Sequence, residues 1–125
     1  IDKCIKLHYM KNSDYTSNIL KFSFPDGLDV EVFTLISLIK SQKLSKTNYN
    51  KEHVTPFIKR SKKFKKFSYK NLVDYSNRRW TLDYLKDYLF FQKVFKYFSP
   101  SIYFSWKDLI KAEKADNALI NIKKR

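Results

Sequence analysis

Apolar and polar positions alternate in two different rhythms along this chain. Over residues 1–11, Ile1, Cys4, Ile5 and His8 recur at spacings of three and four, which predicts a helix that Asn12 and Ser13 end. Asp14-Tyr15-Thr16-Ser17-Asn18 predicts a short strand and its exit, and Leu20, Phe22 and Phe24 alternate as an extended segment should. The pattern is clearest from Leu28 to Phe33. Leu28, Val30 and Val32 would line one face of a strand, and Asp29 and Glu31 the other. Pro25-Asp26-Gly27 just before it is a turn sequence built on the one glycine of the chain. Without a Cβ, Gly27 would let a ligand approach the backbone. Residues 25–33 are therefore read as the centre of organisation, with the alternative that the two acids simply meet water on a half-exposed strand.

Beyond that strand the rhythm turns helical. Thr34 is a candidate N-cap, and Leu35, Ile36, Leu38 and Ile39 form an apolar stripe on a helix ending near Lys43. Ser41 to Lys51 is polar and is expected to be a loop and a mobile segment; Asn50 would then cap a short helix, with Glu52 near its positive end and Pro56 in or just after the first turn. Phe64 to Asn71 predicts a strand with exposed lysines, residues 74–77 a turn, and Arg79-Trp80-Thr81-Leu82-Asp83 a short core strand ending in an acid. Tyr84 to Phe98 predicts an apolar helix that Ser99-Pro100 breaks, Ser105 caps a short helix through Ile110, and residues 112–122 close the chain as a small helix with a basic tail. Strands alternating with helices argue for an α/β layered fold with a largely parallel sheet. Strands near 14–17, 28–33, 64–71 and 79–83 are too few for a complete doubly wound domain, so the missing part is expected before Ile1.

Composition narrows the function. The 125 residues suit one domain with a real core, 43% of them hydrophobic and 18% aromatic. The formal charge of +14 invites a nucleic-acid reading, and a basic binding module would use Lys62, Lys63, Lys65 and Lys66 with Phe64 and Phe67. Yet the excess is overwhelmingly lysine, in a chain also rich in Asn, Ile, Phe and Tyr, as coding drift toward A and T would produce. Nucleic acid is therefore the disfavoured partner. The single cysteine, Cys4, cannot form an internal disulfide or a cysteine-rich zinc site, and packing is its expected role. No apolar run is long enough to span a bilayer, and no segment looks like a signal peptide, so membranes are excluded and the cytoplasm is the default location.

Four separated stretches read together: Asp14-Tyr15-Thr16-Ser17-Asn18, Phe24 through Phe33, Glu52-His53-Val54-Thr55-Pro56-Phe57-Ile58, and Arg79-Trp80-Thr81-Leu82-Asp83. In this order and spacing the chain resembles the later half of the cytidylyltransferases typified by spore coat polysaccharide biosynthesis protein F, relatives of the synthetases that attach CMP to acidic sugars. Ala118-Leu119-Ile120-Asn121 fits the same pattern. The resemblance implies a Rossmann-like, three-layer nucleotidyltransferase domain that transfers CMP from CTP to a sugar or sugar acid with release of pyrophosphate, using Mg²⁺. It further implies that Asp83 holds metal, that Asp29 and Glu31 meet sugar hydroxyls or metal-bound water, and that Arg79 clamps a carboxylate or phosphate. Asn18, Gly27 and His53 would complete the substrate site, and a homodimer would fit the related synthetases. Arg79 in a surface ion pair and His53 in simple packing stand as the alternatives.

Two departures from the family pattern shape the expectation. Tyr84-Leu85-Lys86-Asp87 replaces the usual Thr-Pro-Glu-Asp after Asp83, and the glycine-rich, arginine-bearing loop that binds CTP has no counterpart in these 125 residues. The chain is thus expected to be the carboxyl-terminal portion of such an enzyme and inactive alone. A non-catalytic remnant that pairs with another chain is the remaining alternative.

Overall fold

The computed structural model describes residues 1–115, which fall into two compact units. One comprises Ile1–Phe24 and Leu28–Tyr75, the other Pro25–Gly27 and the chain from Ser76 onward. The final helix expected over 112–122 and the Ala118–Asn121 match extend outside the described residues.

The first unit is built on β1 (Tyr15–Ser17), the middle strand of a three-stranded sheet between β2 (Glu31–Phe33) and β3 (Lys66–Ser68). β1 runs antiparallel to β2, with Tyr15 opposite Phe33 and Ser17 opposite Glu31, and parallel to β3, with Thr16 opposite Phe67. A largely parallel sheet is not what the described residues form. A middle strand has its backbone paired on both edges, and all three residues of β1 are buried. The centre of organisation is therefore this short strand rather than residues 25–33. The expected strand at 28–33 is paired only over Glu31–Phe33, and that at 64–71 only over Lys66–Ser68, because the ladder ends where β1 ends.

Helix α1 (Asp2–Met10) turns Cys4 and His8, one helical turn apart, into the interior. Cys4 packs, as expected, with its thiol 3.8 Å from the Thr16 carbonyl. Asn12 ends the helix in a left-handed conformation, at φ 44°, and Ser13 N–H returns to the His8 carbonyl. The aromatic and aliphatic core gathers Tyr15, Ile58 and Phe64, with Leu20, Phe33 and Phe57 against them. Each fully buried side chain of this size contributes roughly 1.5–3 kcal/mol by leaving water.

Helix α2 (Leu35–Leu44) begins as its sequence suggests, with the Thr34 hydroxyl accepting from Ser37 N–H. Its orientation differs from the expected one. Ser37 and Ser41 face inward, whereas Leu35 and Ile36 are 70% and 78% exposed and Ile39 lies outward with them. The Ser37 hydroxyl donates to Asp14 Oδ1, and the Ser41 carbonyl accepts from the Ser45 hydroxyl. Asp14 Oδ2 also accepts from Lys65 N–H, so one carboxylate joins α2 to the entry of β3.

The expected loop over 41–51 is instead the last turn of α2, a brief connector and the helix α3 (Asn48–Glu52). Thr47, not Asn50, supplies the cap by accepting from Asn50 N–H. Pro56 opens α4 (Pro56–Arg60) at the first helical position, where a missing N–H costs little.

In the second unit Asp26 pairs with residues 78–80 through two short backbone bonds, Asp26 N–H to Arg78 O and Trp80 N–H to Asp26 O. This is a single bridge between Asp26 and Arg79, not the core strand expected over 79–83. Helix α5 (Leu85–Phe98) stops at Ser99-Pro100 as its sequence requires. Helix α6 (Trp106–Ala115) is capped by Ser105, whose hydroxyl accepts from Asp108 N–H while Asp108 accepts from Ser105 N–H; it continues beyond the expected end at Ile110. Leu109, Ile110 and Ala112 turn inward from α6, and Phe104 stacks on Phe98 of α5 with ring centroids 4.3 Å apart.

Candidate functional site

The sequence-derived candidates divide between the two units. Asn18, Asp29, Glu31 and His53 belong to the first, and Gly27, Arg79 and Asp83 to the second.

In the first unit Asn18 follows directly from β1 and is buried. Its amide nitrogen donates to the Leu28 carbonyl and its amide oxygen accepts from Val30 N–H, both at 2.7 Å. The backbone adds Asn18 N–H to Val30 O at 3.3 Å. Asp29 lies between those two anchored residues and is exposed. One buried amide thus holds the peptide groups on either side of an exposed carboxylate, so Asn18 is a positioning residue for Asp29. These two bonds use one N–H and one oxygen lone pair of the amide.

Glu31 stands two residues further on, in β2, with Lys59 Nζ of α4 at 2.9 Å. Burial is the strongest influence on its carboxyl and opposes charge, but hydrogen bonds from Lys59 and then Thr55, with the Lys59 charge, outweigh it. Its pKa is lowered. Lys59 and Thr55 were not singled out in the sequence; Thr55 lies within the family-like stretch, and Lys59 directly follows its last residue, Ile58. His53 is not part of this group. It is exposed and its ring lies 4.5 Å from that of Tyr49.

In the second unit Gly27 has φ 100°, and a Cβ there would lie 2.5 Å from the Trp80 carbonyl oxygen. What approaches the bare backbone is the neighbouring chain, and the space left by the missing side chain holds a peptide rather than a ligand.

Arg79 sits among three carboxylates. Its Nη2 lies 2.8 Å from Asp83 and 3.0 Å from Asp87, and its Nη1 lies 3.7 Å from Asp26. Asp83 first and Asp87 second raise the guanidinium pKa. Asp87 also accepts the backbone N–H groups of Asp83 and Tyr84, closing the start of α5. Burial works against charge on Asp87; those N–H donors and Arg79 overcome it and hold the carboxyl below its ordinary range. Asp87 is the last of the four residues that replace Thr-Pro-Glu-Asp. The acid at that position is retained, and its spacing from Tyr84 was the available signal for the cap.

Asp83 thus follows no strand, and its carboxylate faces a cation already supplied by the chain. Among the described residues no group of three His, Cys, Asp or Glu side chains is arranged to hold a metal ion. No helix among them is long and apolar enough to cross a membrane.

A second ion pair lies deeper in the same unit. Glu113 of α6 is 1% exposed; its Oε2 accepts from Arg78 Nε at 2.7 Å and its Oε1 from Trp80 Nε1 at 3.2 Å. It fixes the residues on both sides of Arg79, and nothing in the local sequence pattern announced it.

Comparison with known proteins bears on the whole arrangement. No family model matches the chain. The chain is 36% identical over 103 residues to an uncharacterized protein of Methanocaldococcus jannaschii, a match covering 78% of this chain and 40% of that protein. In structure it is similar to a cytidylyltransferase from Leptospira borgpetersenii serovar Hardjo-bovis, with a TM-score of 0.86 and 31% identity. That likeness covers 95% of this chain and 51% of the other, so the chain spans about half the length of the enzyme it resembles. Its mixed α/β architecture is accordingly cytidylyltransferase-like.

Proposed function

We propose, on the premise of this cytidylyltransferase likeness, that the protein serves in the transfer of CMP from CTP to a sugar or sugar acid for surface polysaccharide synthesis. The observation that carries the reading is the structural match over 95% of the chain at 31% identity. Within it, the support from this chain is the Asn18 clamp, which holds an exposed carboxylate in place through its neighbours' peptide groups. In the proposed reaction a sugar hydroxyl attacks the α-phosphorus of CTP, the bond to the bridging oxygen breaks, and pyrophosphate leaves with the electron pair.

The roles proposed for the residues follow their surroundings. Asp29 would accept a hydrogen bond from a sugar hydroxyl and orient it. Glu31, kept charged by Lys59, would support the same wall of the site. Arg79 would meet the substrate's carboxylate or phosphate only by exchanging it for Asp83, so Asp83 acts on Arg79 as a counter-ion. Mg²⁺ belongs to this proposal through the family resemblance, where it supplies charge neutralisation for the triphosphate. The CTP-binding part is proposed to lie outside these 125 residues.

The test is pyrophosphate release from CTP by the full protein, with Mg²⁺ and a panel of neutral and acidic sugars. Release that requires one of the sugars and falls at least tenfold in Asp29→Asn supports the reading. Release independent of any sugar, or unchanged in Asp29→Asn, removes Asp29 and the sugar acceptor from it.

A further inference from the structure

The three arginines of the described chain are treated differently by their surroundings. Arg78 is bound to Glu113 and Arg79 to three aspartates. Arg60, at the end of α4, meets only neutral groups: its Nη2 donates to Asn50 Oδ1 at 2.6 Å, and its guanidinium lies over the Tyr49 ring, 5.5 Å from the centroid. An amide and a phenol ring fix the fork in place but leave its charge uncompensated.

That guanidinium borders a groove of about 580 Å³ together with Lys46 and Lys63, and no Asp or Glu lines it. Thr47 and Ser61 reach the same groove, and both hydroxyls accept backbone N–H groups, from Asn50 and Lys63. Each is thereby oriented with its hydrogen still to donate. Two further lysines hold the connection around the groove: Lys40 donates to the Lys63 carbonyl, and Lys66 to those of Lys59 and Ser61. Leu44 and Phe57 add an apolar part to the lining.

The geometry points to a binding site for a small phosphate monoester, a phosphate carried on a compact organic body such as a sugar. A planar guanidinium takes two phosphate oxygens at once, Lys46 and Lys63 add charge from the rim, and the Leu44 and Phe57 surface receives the body. Lysines spread by compositional drift would be solvated separately, with no reason to surround an arginine held by neutral groups. The site lies on α3, α4 and the connectors beside them, and Glu31 is met by Lys59, the residue next to Arg60. Its lining includes neither Asp29 nor Glu31, so its test does not depend on the transferase reading.

The experiment titrates the full protein at low salt with a hexose 6-phosphate, the unphosphorylated hexose, inorganic phosphate and a short single-stranded oligonucleotide, following binding by calorimetry. Expected are binding of the hexose 6-phosphate, none of the free hexose, and weaker binding of inorganic phosphate. Arg60→Gln should weaken the sugar phosphate at least tenfold, as should Lys46→Gln with Lys63→Gln, which removes charge without touching the Arg60 contacts. Lys62→Gln, outside the lining, should change it less than twofold. No binding of the sugar phosphate, equal losses in Lys62→Gln, or inorganic phosphate binding as tightly would each overturn the site. Oligonucleotide binding that is tighter and depends equally on Lys62 would replace it with a nucleic-acid surface.

Discussion

Gly27 and Trp80 are in direct backbone contact: a side chain of even one carbon at Gly27 would stand 2.5 Å from the Trp80 carbonyl oxygen. The sequence made Gly27 look like an opening for a ligand, and on that reading Gly27→Ala would impair turnover with the fold intact. The contact and the positive φ require a different outcome. Gly27→Ala should destabilise the protein by about 2 kcal/mol or more, since an alanine is strained at this φ and the Asp26 pairing must move. Denaturant unfolding of the variant measures this; wild-type stability would mean that the bridge is not held as described.

The Asn18 clamp makes two short bonds to the backbone around Asp29. Asn18→Ala leaves the Val30 N–H and Leu28 O without those partners and should cost roughly 2–4 kcal/mol. Hydrogen exchange gives the sharper test. Exchange at Val30 should accelerate well before exchange at Thr16, since the loop loosens while the middle strand stays paired. Equal acceleration at both would indicate global rather than local loss.

Glu113 is buried against Arg78 and Trp80. Glu113→Gln keeps the shape but removes the charge that compensates Arg78, and should cost roughly 2–4 kcal/mol. Because Trp80 donates to the same carboxyl, its fluorescence should shift in the folded variant. Trp106→Phe, made in parallel, leaves Trp80 as the one emitter. A glutamine oxygen can still accept from Trp80, so Glu113→Leu is the variant that removes the bond, and an unchanged Trp80 spectrum in folded Glu113→Leu would exclude it.

Two acid steps in stability are expected, with their causes in different groups. His8 is buried, its Nδ1 within 3.2 Å of Thr16 Oγ1 and 3.1 Å of Ser13 Oγ. Burial lowers its pKa from the ordinary 6.5, against the opposing pull of Asp14. The unfolded chain therefore takes up the proton first, and stability is full above pH 6.5 and declines as pH falls below it. Three carboxyls form the lower step. Burial opposes charge on Glu31 but Lys59 and Thr55 outweigh it, burial opposes charge on Asp87 but the Asp83 N–H and Arg79 outweigh it, and Ser105 lowers the pKa of Asp108. Their contributions are full above the ordinary values of 4.5 and 3.8 and are lost as pH falls through the folded-state values. Unfolding midpoints measured from pH 8 to 3 should fall in both windows. His8→Gln should abolish the upper step and leave the lower one.

The legible parts of the fold were those in which cause and effect are neighbours in sequence. Thr34, Pro56 and Ser105 start helices as their residue types dictate, Asn12 and Ser99-Pro100 end them, and Cys4 packs inside. Each depends on a hydroxyl, a ring or a left-handed turn acting within four residues. Of the candidate site, Asn18 and Asp29 were found through a family-like pattern, but the bonds joining Asn18 to either side of Asp29 span ten and twelve positions and have no local signature. The same limit hid Asp26 as a partner of Arg79, whose other acids, Asp83 and Asp87, lie four and eight positions on, and it hid the link from Glu113 back to Arg78 and Trp80.

The sequence by itself determined several helix limits, at Asn12, Thr34, Pro56, Ser99-Pro100 and Ser105, that the chain is an α/β protein, and the motifs by which it resembles a cytidylyltransferase. Tertiary structure alone decided which face of α2 turns inward, how far each strand extends, and which carboxylates remain exposed. Periodicity reports that a helix has two faces, yet the Ser37 side is chosen because Asp14 waits to accept its hydroxyl, and Leu35 and Ile36 are left outward. Alternation reports a strand, yet β2 begins only at Glu31, because pairing requires a partner and β1 offers three residues. Charge is subject to the same rule: Arg60, Arg78 and Arg79 are one residue type, and only their distant neighbours make one of them an open cation and two of them anchors.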